Sequence, residues 1–312
     1  MPESSNNLLA GIDVAPKSMR AVAVTPDGRV VARQATEYQP DTFTSEVAKV
    51  VAALREAGEI HRVGVGIPGL VNRETDRVLV STGLPTFVRA ELHEELMNAT
   101  GLRFELENDA NAAAYGEYKV GAGREARHMF YLHIGDTVGG AIILDGQLWT
   151  GASGCAGEVG HTTINPEGYQ CECGNIGCLE TVASAPNIVR RARERLDRDS
   201  TSSLSRLATH EDFTAADLAR EATNGDDFSI MMIERTGKYI GTAVAGIINL
   251  LSLERIVLGG GVMEAGDLIL DPIVKEAAKR SFQPCFETTK IVGGELGADA
   301  VAVGAALLAH DA

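Results

Sequence analysis

Nowhere in its 312 residues does the chain hold an apolar run near the roughly 20 residues that a membrane-spanning helix needs, so no membrane role is expected. Cysteine is scarce. There are five in all and no Cys-x-x-Cys pair, so neither a disulfide framework nor a redox dithiol is expected. The stretch from Met1 to Asn7 is short and polar, without the basic-then-apolar pattern of a secretory leader, and a cytoplasmic protein is the expectation. Basic residues are outnumbered, 28 Lys and Arg against 43 Asp and Glu, for a net charge of −15. Nucleic-acid backbones are held by Lys and Arg, so nucleic acid is not an expected partner. The one basic stretch, Arg190-Arg191-Ala192-Arg193-Glu194-Arg195, is interrupted by an acid and reads as a solvated helix face.

Three of the five cysteines are concentrated in one place. His161, Cys171, Cys173 and Cys178 lie in a single short segment, and four such donors suit a closed tetrahedral zinc site. Gly174 and Gly177 allow the tight knuckle that a chain turning around a metal requires. Glu158 stands three residues before the histidine and Glu180 two after the last cysteine, so a fixed cation would hold two carboxylates in place. With no open coordination position, the zinc is expected to be structural rather than catalytic. Cys155 and Cys285 lie outside this segment, with packing as their default role.

A 45% hydrophobic and 23% charged composition is that of a globular protein, and the length suffices for two lobes. Strands are expected at Leu8–Val14, Met19–Thr25, Val30–Ala35, Arg62–Ile67 and Arg103–Leu106. Helices are expected around Val47–Leu54, over Val88–Ala99 and over Asn108–Val120. A second cycle begins near Arg127: a strand at His128–Ile134, a tight loop at Gly135–Gly140, and a strand at Ala141–Leu144 closed by the Asp145-Gly146 turn. Helical stretches near 185–197, 214–222 and 227–253 follow, then a strand at Arg255–Leu258 entering Gly259-Gly260-Gly261. An Ala-rich helix spans Ala298–Ala309, and Ser200–Ser205 reads as a surface loop. This weak internal repeat points to two similar α/β lobes with a cleft between them, meeting near Gly121-Ala122-Gly123.

These landmarks resemble the ROK family of repressors, open reading frames and sugar kinases. The likeness is carried by Glu107-Asn108-Asp109-Ala110-Asn111-Ala112-Ala113-Ala114-Tyr115-Gly116-Glu117, by Ala156-Gly157-Glu158-Val159-Gly160-His161, and by the segment from Cys171 to Glu180. It implies an actin- or hexokinase-type pair of ribonuclease-H-like lobes around a central cleft, with the zinc knuckle in the second. The first lobe would span 1–120 with the C-terminal helix 298–312 packing back on it, and the second 121–297 with the zinc segment 161–178. The implied activity is ATP-dependent phosphorylation of a hexose or N-acylhexosamine by a homodimer or homotetramer, with Mg²⁺ accompanying ATP. On the same pattern Asp109 is the base that accepts the proton of the attacking hydroxyl. Gly69, Asn108, Asp109, Glu158, His161 and Glu180 bind the sugar. Taken alone, Asn108 and Asp109 also suit plain helix capping. Ser81-Thr82-Gly83-Leu84-Pro85 resembles the next pocket segment but lacks the Asn usual before its Leu.

The resemblance assigns the nucleotide to Asp13, Lys17, Gly135, Asp136, Thr137, Gly139, Gly259, Gly260 and Gly261, and here the chain departs from the pattern. Asp13-Val14-Ala15-Pro16-Lys17-Ser18 stands where the family has Asp-x-Gly-Gly-Thr-Lys, and proline offers no N–H to a phosphate. Gly135-Asp136-Thr137-Val138-Gly139-Gly140-Ala141 stands where the family has Gly-Thr-Gly-x-Gly-Gly-Gly, so a carboxylate replaces a hydroxyl. Two readings follow: a hexose kinase with altered phosphate loops, or a catalytically inactive sugar sensor. The first strand begins near Leu8, so no winged helix is expected ahead of it.

Overall fold

The computed structural model describes residues 7–73, 75, 77–81, 84, 87–88, 91–196, 202–205 and 213–312. Thr82, Gly83 and Pro85 of the pocket segment, and residues 200 and 201 of the serine-rich patch, lie outside these. The chain forms two compact units: residues 1–125 with 141–156 and 295–312, and residues 126–140 with 157–294.

In the first unit β1 (Asn7–Val14), β2 (Ser18–Val24) and β3 (Val30–Glu37) form an antiparallel meander. β4 (Glu59–Ile67) adds in parallel to β1, β5 (Leu70–Asn72) and β6 (Arg77–Val80) form a separate hairpin, and β7 (Arg103–Asn108) adds in parallel to β4. The sheet order is β3-β2-β1-β4-β7. Strict alternation along β1 explains how both faces become buried. Leu8, Ala10, Ile12 and Val14 share a core with Phe43, Val47 and Leu54 of α1 (Phe43–Leu54) and with Leu92 and Leu96 of α2 (Leu92–Thr100). Leu9, Val22 and Val24 form a second core with Val303, Ala306 and Leu307 of α10 (Ala300–Asp311). Glycine is needed beneath that helix: a Cβ on Gly11 or Gly64 would collide with the carbonyl oxygens of Ala302 and Ala305. α3 (Asp109–Val120) packs beside α10. The buried Glu117 carboxylate at its far end accepts N–H bonds from Ala122 (2.8 Å), Glu295 (3.1 Å) and Leu296 (2.9 Å).

The second sheet has the order β10-β9-β8-β11-β12, repeating the 3-2-1-4-5 pattern of the first. Its strands are β8 (Met129–Ile134), β9 (Val138–Leu144), β10 (Gln147–Trp149), β11 (Arg255–Gly259) and β12 (Lys290–Gly293). The second unit also carries α4 (Glu180–Ala183), α5 (Ala185–Leu196), α6 (Ala215–Thr223), α7 (Asp227–Leu251), α8 (Asp267–Arg280) and α9 (Gln283–Thr288). α6 starts on a reciprocal capping box between Thr214 and Asp217, and Asp226 caps α7 by accepting the Ser229 N–H.

Three expectations need correction. β9 begins at Val138, so Gly139 and Gly140 are strand residues rather than part of a six-residue loop. A side chain at Gly140 would run into the Phe130 ring, which explains the glycine by packing. α2 begins at Leu92 rather than Val88. The basic stretch on α5 is not a uniformly solvated face: Arg191 is buried, and its Nη1 donates to Thr236 Oγ1 at 3.1 Å as well as to the Val182 carbonyl.

Candidate functional site

In the first unit the polar residues gather where β7 runs into α3. Asn108 caps the helix: its Oδ1 accepts the Asn111 N–H at 2.9 Å. Its Nδ2 donates to the Gly69 carbonyl at 2.9 Å and to Asp109 Oδ1 at 3.1 Å. Asp109 Oδ1 also accepts the Ala110 N–H at 2.8 Å. Both bonds fall on Oδ1, leaving Oδ2 as the oxygen that can take a proton. The capping reading of Asn108 is therefore correct as far as it goes, and the cap itself orients Asp109.

Glu107 was missed by sequence reasoning as more than motif context. It accepts the Asn108 N–H (2.8 Å) and Asn111 Nδ2 (3.0 Å), and pairs with Arg73 at 3.2 Å. Burial pushes its carboxyl above the ordinary range, against the opposing pull of Asn111, Arg73 and the Asn108 N–H. Arg73 sits in the turn of the β5–β6 hairpin, so Glu107 ties that hairpin to the start of α3. Ser81 continues the anchoring, with its Oγ donating to the Pro68 carbonyl at 2.6 Å and accepting the Leu84 N–H at 3.1 Å.

Asp13, at the end of β1, is close enough to feel Asp109. Burial, reinforced by the Asp109 charge and opposed by Arg20, pushes its carboxyl up to about 7. The turn beyond it is closed by the Ala15 N–H on the Ser18 carbonyl at 2.9 Å, and Tyr38 donates its hydroxyl to the Ala15 carbonyl at 2.6 Å. With the Ala15 N–H spent and none on Pro16, the β1–β2 turn offers an anion chiefly the exposed Lys17 and Ser18 side chains.

In the second unit the donor atoms of His161, Cys171, Cys173 and Cys178 all lie within 4.8 Å of one another. Cys171 Sγ is 3.6 Å from His161 Nδ1, and Cys173 Sγ is 3.7 Å from Cys178 Sγ. Sulfurs about 2.3 Å from a common centre stand about 3.8 Å apart in a tetrahedron, so these spacings fit zinc. All five cysteines are free thiols. Burial raises the Cys171 thiol and pushes Cys178 up to about 12, while a backbone bond from Asn175 lowers Cys173. A metal bound there would have to displace those protons. Gly174 and Gly177 take φ of 92° and 75°, as the expected knuckle requires.

His161 Nδ1 faces the sulfurs and its Nε2 faces Glu158 Oε2 at 4.0 Å. The two ring nitrogens thus address the thiol cluster and a carboxylate respectively. Glu180 begins α4 and accepts the Val138 N–H on Oε2 at 2.9 Å. That bond joins a predicted sugar ligand to the β8–β9 turn, which sequence reasoning did not anticipate. The turn itself is closed by the Gly135 N–H on the Thr137 carbonyl, and Ala185 donates to the Gly135 carbonyl at 2.8 Å. Thr137 does not take a positive φ, so its replacement of glycine costs no backbone strain. Asp136 and Thr137 are exposed.

Gly259 ends β11, and Gly260 turns the chain with φ 92°, its α-carbon so close to Ile134 that no side chain fits. Gly261 and Val262 then form one wall of a cavity of about 260 Å³, with Glu264 and Ala265 beside them. Ala215, Ala216, Leu218 and Ala219 of α6 form the facing wall. The glycine loop was legible in the sequence. The α6 wall was not, because small residues on a short helix carry no distinguishing pattern.

The sequence profile of the ROK family matches residues 9–312. The chain belongs to the ROK family. It is 33% identical to a glucokinase of Thermotoga maritima, over 96% of both chains. Its fold superimposes on a ROK glucokinase of Streptomyces griseus, solved with glucose and AMPPNP, at a TM-score of 0.88 and 28% identity, covering 98% of this chain and 100% of that one. It also superimposes on a ROK transcriptional regulator, a homologue of the Escherichia coli Mlc protein, at a TM-score of 0.87 and 27% identity, covering 98% of this chain but 78% of the regulator. The α/β fold is that of the ROK sugar kinases, of the actin and hexokinase type. Among the described residues no helix is long and apolar enough to cross a membrane.

Proposed function

We propose that this protein is an ATP-dependent hexose kinase of the ROK type. Asp109 accepts the proton of the attacking sugar hydroxyl on Oδ2, while Asn108, Gly69, Glu158, His161 and Glu180 take the remaining hydroxyls. The observation that carries the reading is the constraint on Asp109: neighbouring bonds fix Oδ1 and so aim the other oxygen. The cavity beside Gly261 has room for a nucleoside, with Asp13, Lys17 and the β8–β9 turn assigned to the phosphates and their magnesium. His161, Cys171, Cys173 and Cys178 would hold a zinc ion, which would order Glu158 and Glu180 rather than enter the chemistry.

The decisive experiment follows ADP release from the purified protein with Mg·ATP and a panel of hexoses, with Asp109→Asn as control. Turnover abolished by that substitution supports the kinase. The spent N–H groups of the first phosphate loop favour a second reading, a sugar sensor without turnover. Sugar binding by calorimetry, with no ATP binding at millimolar concentration, would leave only the sensor.

A further inference from the structure

Arg190 has no part in the site as described, yet its guanidinium is fully engaged between the metal knuckle and Glu180. Its Nη2 donates to the Thr181 carbonyl in α4 at 2.8 Å and to Asn187 Oδ1 at 2.9 Å. Its Nε donates to Asn187 Oδ1 at 3.1 Å and its Nη1 to Glu194 at 3.1 Å. Asn187, held in this way, donates its Nδ2 to the Glu180 carbonyl at 3.0 Å. On the other side the guanidinium lies over the Tyr169 ring, with Cζ 3.7 Å from the centroid. The Tyr169 hydroxyl donates to Glu194 at 2.5 Å, closing the ring of contacts.

Tyr169 belongs to the knuckle. Its carbonyl accepts the Gly177 N–H at 2.8 Å, and Gln170 bridges to Ile176. α4 is a single turn of four residues, too short to hold itself against the cost of nucleating a helix. Its orientation, and with it that of the Glu180 side chain, depends on outside partners. The Thr181 N–H and hydroxyl bond the Cys178 carbonyl directly at 3.1 and 2.7 Å, and Arg190 adds a second tie to the knuckle, from the far end of α4 through Tyr169. A planar guanidinium can stack on a ring while its edge donates to carbonyls; an ammonium cannot do both.

We infer that Arg190 is a positioning residue for Glu180, transmitting the order of the metal-binding knuckle through Tyr169 to the helix that Glu180 begins. The inference rests on the reading of Glu180 as a sugar ligand. Its test uses the zinc-loaded full-length protein, with glucose affinity measured by calorimetry without nucleotide, KM and kcat measured by ADP release, and zinc per chain measured by elemental analysis. Arg190→Ala weakens glucose binding about tenfold and raises the glucose KM in step, with kcat and zinc content unchanged. Arg190→Lys does not restore affinity. Tyr169→Leu weakens binding in the same direction, whereas Tyr169→Phe, which keeps the ring, stays near wild type. The double variant Arg190→Ala/Tyr169→Leu binds glucose no more weakly than Arg190→Ala alone, because the two act as one link. Independent, multiplying effects would overturn the coupling, as would unchanged affinity in Arg190→Ala or zinc loss from it. A wild type without measurable affinity for any hexose would instead take down the reading of the sugar site, and the inference with it.

Discussion

The β1–β2 turn and the β8–β9 turn occupy the same place in two sheets of identical order, yet they are built differently. The first is tied to one buried neighbour with no assigned role in the site, Tyr38, whose N–H also donates to the Lys17 carbonyl at 3.0 Å. Its bonds run from Ala15 to Ser18 and from Tyr38 to Ala15, and Pro16, Lys17 and Ser18 are exposed. The second is connected to its surroundings: Ala185 of α5 donates to Gly135, and the Glu180 carboxylate receives the N–H of Val138. A change in the first turn reaches Tyr38 but no residue assigned to the sugar. A change in the second reaches a residue assigned to the sugar. Equivalent positions in a repeated topology thus need not share sensitivity, because what matters is which neighbours have a stake in the turn.

The largest expected effect lies in neither turn and sets the scale for both. Asp109→Asn lowers kcat by about 10²–10⁴-fold while both KM values stay within a few fold. Next, Glu180→Gln raises the sugar KM about tenfold to a hundredfold, in line with the ~1.5–3 kcal/mol of a hydrogen bond to a charged group. If the connection of the second turn matters, the same variant also raises the ATP KM, and an unmoved ATP KM breaks the comparison. Asp136→Asn lowers the ATP KM by about fivefold, from the ~1 kcal/mol that two like charges 4 Å apart cost in water. A rise instead would show that Asp136 holds the magnesium. In the β1–β2 turn, Pro16→Gly restores one N–H and lowers the ATP KM by no more than a few fold, with the sugar KM unmoved.

A separate effect concerns stability. The folded Asp13 carboxyl is raised from 3.8 to about 7, so its contribution is fully present only below its unfolded value and is lost as pH rises through about 7. Asp13→Asn accordingly raises Tm more at about pH 8 than at about pH 5. Equal gains at both would mean that Asp13 does not carry the titration.

The buried strand β1 and the cluster of four donors could be read because residue type alone carries the physics: a short, nearly continuous apolar run, and thiols beside an imidazole. Gly139 and Gly140 misled because a glycine run reads as loop, whereas Gly140 is required by the Phe130 ring lying against it. α8 was missed because Pro272 interrupts its pattern from within, and the β5–β6 hairpin because its strands are only three and four residues long. Nothing in one dimension marks Arg190 as the companion of Tyr169, 21 positions earlier, or Glu107 as that of Arg73. Candidate ligands could be named from the sequence, whereas the residues that hold them still could not.

One face of the first sheet is covered by α10, whose backbone lies against Gly11 and Gly64, and the intervening chain builds the second unit. A ribosome working at about 5–20 residues per second needs on the order of ten to thirty seconds to pass from the first unit's leading portion to that helix. Throughout this interval Leu9, Val22 and Val24 of the nascent chain lack the cover of Val303, Ala306 and Leu307. Translation speed through the second unit, and the chaperones that shelter the unfinished sheet, therefore belong among the determinants of yield whenever this protein is produced.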